Sequence, residues 1–165
     1  MKRRCVAGLF VTAIAVFMFL AGNACAATAL QPSQPKFPNA SLLVSADSLE
    51  QCIANNEQNL VIIDARTSGY DSLHIPGAIN LKYGDYYTGG TGLFPVATLN
   101  AKLSAAGLTR TMRFVIYDDT TASFGAAGRI FWMLEYLGCK KVHILDGGWD
   151  KWTADGKATV AAPTP

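Results

Sequence analysis

The sequence predicts an α/β fold, a mainly parallel sheet of about five strands with helices on both faces. Two observations carry this. Apolar runs such as "LVIIDA" (60–65) and "FVIY" (114–117) are continuous and lack the polar alternation of a half-exposed strand. Segments with helical spacing lie between such runs. The 165 residues suit one domain with an export segment ahead of it, and no internal repeat is visible.

The first residues stand apart from that domain. Lys2, Arg3 and Arg4 precede an apolar run from Cys5 to Gly22, and "ACA" (24–26) supplies small residues before a cut. This predicts a secretory signal, residues 1–26, cleaved after Ala26, and hence a periplasmic or secreted protein. The apolar run approaches the length that spans a bilayer, so a membrane-anchored alternative stays open. A lipoprotein reading through Cys25 is weaker, because "GNAC" lacks a large aliphatic residue three positions before the cysteine.

Cleavage changes the charge and cysteine arguments. Removing the three N-terminal cations from fourteen basic residues leaves eleven against twelve acids, a net of −1. The basic balance therefore comes from the signal, and no basic run interleaved with aromatics points to nucleic acid. Cys52 and Cys139 remain. In an oxidising compartment they could pair, or stay as separate, partly buried thiols. No CxxC or Cys/His cluster has zinc spacing, and neither metal nor cofactor is implied.

The elements follow in order. Residues 27–40 hold three prolines and no apolar period, which predicts an extended linker. "LLVS" (42–45) is a short apolar run. "DSLE" (47–50) is read as an acid cap with Glu three later, opening a helix to about Asn55. "LVIIDA" and "AINL" (78–81) are strands. "VATLNAKLSAAG" (96–107) has Val96, Leu99 and Leu103 at helical spacing, with Gly107 as its stop. "FVIY" is a strand, and "GRIFWMLEYLG" (128–138) is a helix mostly apolar around its surface, hence well buried. "VHIL" (142–145) is the last strand and "WDKWTADG" (149–156) the last helix. Residues 158–165 are read as a flexible tail. "GGTG" (89–92) has no helix with a lysine after it and reads as a flexible loop, not a phosphate cradle.

In such a sheet the working loops lie beyond the carboxyl ends of the strands. They follow Ala65, Leu81, Tyr117 and Leu145. Two of these carry motifs. "VIIDARTSGYDSLHIPGAINL" resembles the rhodanese signature, in which an aspartate and an arginine end one strand and a "HIPGA" turn leads into the next. "VIYDDTTASFGAAGRIFWMLEYLGCKKVHILDGGWDKWTADG" resembles the second half of that domain. The resemblance covers residues 41–157 and is closest to the N-terminal, non-catalytic half of tandem-domain thiosulfate and 3-mercaptopyruvate sulfurtransferases. It implies a rhodanese-like three-layer fold. Asp64, Arg66, His74, Pro76, Gly77, Arg129, Asp146, Gly147, Gly148 and Trp149 stand at its motif positions. Arg66 and Asp146 are expected to brace loops, His74 to bond across its turn, and His143 to be a satisfied side chain within its strand.

Rhodanese chemistry carries sulfur as a cysteine persulfide, on a thiolate activated by inward-pointing amides at a helix N-terminus. The resemblance puts that cysteine directly after "FVIY", where Asp118 stands. No cysteine occurs between Arg113 and Gly138. The loop Asp118, Asp119, Thr120, Thr121, Ala122 and Ser123 is thus read as a degenerate active-site loop without a catalytic residue. A carboxylate cannot take up a sulfane sulfur. "YDDTT" matches a DxDxT phosphatase pattern only faintly, because its acids are adjacent and diverge along an extended chain.

Two readings of function follow. The chain is a non-catalytic binding or support module, or the N-terminal half of a thiosulfate sulfurtransferase, whose partner is a catalytic rhodanese domain or another exported protein. The alternative is an active sulfurtransferase using an atypical thiol such as Cys139, or a partner domain. Contact with the membrane is expected only if the N-terminal segment stays uncleaved.

Overall fold

A computed structural model describes residues 38–89, 92–120, 123 and 125–161. The expected signal, the linker up to residue 37, Thr121, Ala122, the centre of "GGTG" and the last four tail residues lie outside these. Among the described residues, five strands form one sheet: β1 (Leu43–Val44), β2 (Leu60–Asp64), β3 (Ala78–Asn80), β4 (Arg113–Tyr117) and β5 (Lys141–Leu145). Their order is β1-β5-β4-β2-β3, and every pairing is parallel. The register sets Asp64 beside Tyr117 on one side and Asn80 on the other.

Among the described residues four α-helices cover the sheet: α1 (Ala46–Ala54), α2 (Val96–Ala105), α3 (Ala126–Tyr136) and α4 (Gly148–Ala154). Strand side chains alternate between the faces. Ile63, Phe114, Ile116 and Val142 pack with α2 and α3. Ile62, Val115, Tyr117 and Leu145 pack with α1 and α4, around Leu49 and Trp152. Both faces are therefore dry, which is why the strands carry no polar alternation.

Three details differ from the sequence expectation. The cap of α1 is Ser45, whose hydroxyl accepts the Ser48 N–H at 3.2 Å, not Asp47. Asp47 and Glu50 instead hold Lys157 Nζ at 2.6 and 2.7 Å. Helix α3 is not buried all round: Trp132 and Tyr136 stack on each other and are 55% and 58% exposed. An apolar composition gives the period of a helix and not which side meets water.

The third difference is the tail. Val160 exchanges both backbone hydrogen bonds with His74, at 2.9 and 3.0 Å, as an antiparallel bridge. Trp152 Nε1–H donates to the Ala158 carbonyl at 2.9 Å. Residues 158–160 are thus fastened to the domain rather than free. A single long-range bridge leaves no local pattern in sequence. Among the described residues no helix is long and apolar enough to cross a membrane.

Candidate active site

The loops after β2, β4 and β5 meet at the carboxyl edge of the sheet. The first is built on Asp64, which is fully buried. Its carboxylate accepts the Arg66 backbone N–H at 2.9 Å, Arg66 Nε at 3.0 Å, Arg66 Nη2 at 2.6 Å and the Tyr117 hydroxyl at 2.7 Å. Arg66 Nη2 also donates to the Leu73 carbonyl at 2.7 Å, tying the strand end to the "HIPGA" turn. Burial works against the Arg66 charge, but the hydrogen bonds it donates to Asp64, with the Asp64 charge, outweigh this and hold the guanidinium protonated. Burial, reinforced by the Asp64 charge, pushes the Tyr117 phenol far above its usual range, so it remains a donor. Arg66 therefore links the end of β2 to the turn before β3.

The "HIPGA" turn explains its own letters. Ala78 N–H donates to the Ile75 carbonyl at 3.0 Å, and Gly77 has φ +80°. Proline second and a left-handed glycine third define a type II turn. His74 is buried. Its Nδ1 lies 2.8 Å from the Tyr70 carbonyl, and its ring stacks on Tyr70. It bonds within the turn.

The loop after β4 is held differently. Asp118 Oδ2 accepts the Ala127 N–H at 2.9 Å, in the first turn of α3. The carboxylate thus occupies a helix N-terminal amide, the kind of donor that binds anions. Burial pushes the Asp118 carboxyl above its ordinary range; the Ala127 bond opposes this, while Asp119 and Asp150 add to it. Asp119 also lies within electrostatic reach of Arg66. Ser123 is buried in the same loop, and its hydroxyl has no hydrogen-bond partner among the described residues.

The loop after β5 clamps this one from outside. Trp149 N–H donates to the Asp118 carbonyl at 2.9 Å. Asp150 Oδ2 accepts the Thr120 N–H at 2.9 Å and also the Thr120 hydroxyl, and these bonds hold its carboxyl below the usual range. Gly148 has φ +55°, and a Cβ there would lie 2.5 Å from the Asp118 carbonyl oxygen. Only glycine lets the two loops approach so closely. The Trp149 ring lies under the Arg66 guanidinium, 3.9 Å from Cζ to the ring centre, joining the third loop to the first.

The structure therefore brings together Asp64, Arg66, Asp118, Asp119, Thr120, Ser123, Gly148 and Trp149. Other motif residues serve elsewhere. Arg129 is exposed, with its guanidinium 4.7 Å from the Tyr83 ring centre. Asp146 pairs its backbone N–H with Val44 at 2.8 Å and so joins β1 to the loop after β5. His143 Nδ1 lies 3.2 Å from the Phe114 carbonyl. Sequence reasoning missed Tyr117 and Asp150 as bracing groups. The only trace of Asp150 in sequence is an acid in the first turn of the last helix, which reads as ordinary dipole chemistry. Cys139 is buried among the α2 and α3 side chains, whereas Cys52 lies on α1 across the sheet, and both are free thiols. Among the described residues no group of three or more His, Cys, Asp or Glu is placed to hold a metal ion.

An all-parallel sheet in this order, with aspartate-arginine and glycine-tryptophan loops meeting at its carboxyl edge, defines a domain class. The chain belongs to the rhodanese-like domain family, whose model matches residues 45–155. It is similar to a putative thiosulfate sulfurtransferase of Mycobacterium bovis, 33% identical over 74% of this chain and 44% of that protein. It is also similar to a thiosulfate sulfurtransferase of Pseudomonas aeruginosa, 34% identical over 60% of this chain and 38% of the relative. The crystal structure of the Escherichia coli 3-mercaptopyruvate sulfotransferase SseA superposes with a TM-score of 0.63, at 24% identity, over 74% of this chain and 52% of that one. That likeness shows the fold. The chain spans about two fifths of the length of the curated relatives it matches.

Proposed function

We propose that this chain is an exported, non-catalytic rhodanese-like module of the N-terminal-half type, which supports or docks a catalytic sulfurtransferase domain. One observation carries the reading. At the strand end where the resemblance puts the sulfur-carrying thiolate, the Asp118 carboxylate sits on the Ala127 amide of α3 at 2.9 Å. A carboxylate has no lone-pair sulfur to accept a sulfane atom. It also fills with its own charge the amide that would steady a thiolate or an anionic substrate.

An atypical thiol is the competing reading. Cys139 follows the far end of α3, and eleven helical residues extend about 16 Å. Burial raises its thiol above the usual range, although Arg110 pulls the other way, which leaves little thiolate at neutral pH. Neither feature suits a sulfur carrier.

Persulfide capture tests the proposal. After incubation with thiosulfate and removal of excess reagent, intact-protein mass spectrometry should find no cyanide-removable gain of one sulfur atom. Such a gain that disappears in Cys139→Ser would overturn the proposal.

A further inference from the structure

The helices α2 and α3 run antiparallel to the strands, so their C-terminal ends meet at the amino edge of the sheet, away from the loops described above. Between those ends lies a cavity of about 350 Å³. Its floor is apolar: Leu103, Leu108, Phe114, Leu137 and Cys139, all buried members of one core cluster. The end of α2 shapes one wall. There Gly107 N–H donates to the Ser104 carbonyl and Leu108 N–H to the Leu103 carbonyl, each at 2.9 Å. That Schellman pair turns the chain and folds Leu108 back over Leu103.

The rim is polar and carries one sign of charge. Asn100, Ser104, Thr109 and Arg110 line it, and all but the half-buried Asn100 are exposed. Arg110 Nη2 donates to Asn100 Oδ1 at 3.2 Å, which holds the guanidinium by the mouth. Among the described residues Arg110 forms no ion pair, yet its charge reaches the Cys139 thiol on the floor. An apolar hollow of ligand size with one uncompensated cation at its mouth has the chemistry of a small-molecule site.

We propose that this cavity binds a small amphiphilic monoanion, such as a medium-chain or aryl carboxylate. The apolar tail lies on Leu103, Leu108, Phe114 and Leu137, and the carboxylate lies against Arg110. The tail removes apolar surface from water, and the head supplies the charge that Arg110 lacks. Nothing in this proposal depends on sulfur transfer or on Asp118.

Octanoate is the probe, titrated into the isotope-labelled protein and followed by amide NMR shifts. Saturable shifts should centre on Leu103, Leu108, Leu137 and Cys139, with a Kd on the order of 0.1–1 mM. Octanol should bind more weakly and octylammonium weaker still. Arg110→Gln should weaken octanoate about fivefold and leave octanol unchanged. Ser104→Trp, at an exposed position on the rim, should cover the mouth and weaken both ligands at least about tenfold. Octanoate should also slow alkylation of Cys139 and leave Cys52 unaffected. Three results would each overturn the proposal: no saturable shift up to about 10 mM, shifts confined to the exposed Trp132 and Tyr136 face, or an Arg110→Gln affinity for octanoate equal to the parent's.

Discussion

The loops after β2 and β4 leave adjacent strands at the same edge of the sheet, yet they are held in opposite ways. The first is held from within. Asp64 is buried and saturated by Arg66 and Tyr117, and the guanidinium spends a remaining donor on the Leu73 carbonyl. The second is held from outside, by Trp149 and Asp150 of the next loop, and its own Asp118 keeps a half-buried carboxylate between two other acids. A saturated network fixes a shape. The β4 loop instead sets its own carboxylate on the Ala127 N–H of α3, a helix N-terminal amide of the kind that binds anions.

Substitutions should separate the two loops by size of effect. The largest loss is expected at Asp64→Ala, which strands a buried guanidinium: about 3–5 kcal/mol of stability, read by urea unfolding. Tyr117→Phe removes the hydroxyl that donates to Asp64 and accepts the Ile75 N–H at 3.2 Å. It should cost about 1–3 kcal/mol in the same measurement. Asp150→Asn weakens an exposed clamp and should cost at most about 1 kcal/mol. Amide exchange at Thr120 should accelerate in that variant while β2 stays protected. Equal losses at Asp64 and Asp150 would erase the contrast between the loops.

The smallest effect is at Asp118 and changes with pH. Its folded pKa is raised, so the protonated form favours the fold. That contribution is fully present below the ordinary value of 3.8 and is lost as pH rises through the folded value. Asp118→Asn keeps an acceptor for the Ala127 N–H without the charge. The variant should melt slightly higher than the parent at neutral pH, and the gap should close in acid. A variant less stable than the parent at neutral pH would mean that the carboxylate is held by a favourable charge rather than tolerated.

Much of the fold was legible because it rests on local signals. Continuous apolar runs gave the strands their burial on both faces, Gly107 marked the end of α2, and the resemblance marked "HIPGA" as a turn. At the site, the strand-ending Asp64 and Arg66 and the loop position of Asp118 were legible through their motifs. What escaped depends on groups far apart in sequence. Asp118 meets an amide nine residues later, Thr120 meets Asp150 thirty residues later, and Val160 bridges back to His74. The exposure of Trp132 and Tyr136 escaped for another reason: a helix mostly apolar around its surface offers little period from which to choose the wet face.

Thiosulfate:cyanide sulfurtransferase turnover by the purified protein, beside Cys139→Ser, tests the central claim most directly. No thiocyanate above the uncatalysed background is expected from either protein. Turnover by the parent that vanishes in the variant would contradict it, making Cys139 the sulfur carrier and moving the chemistry to the opposite end of α3.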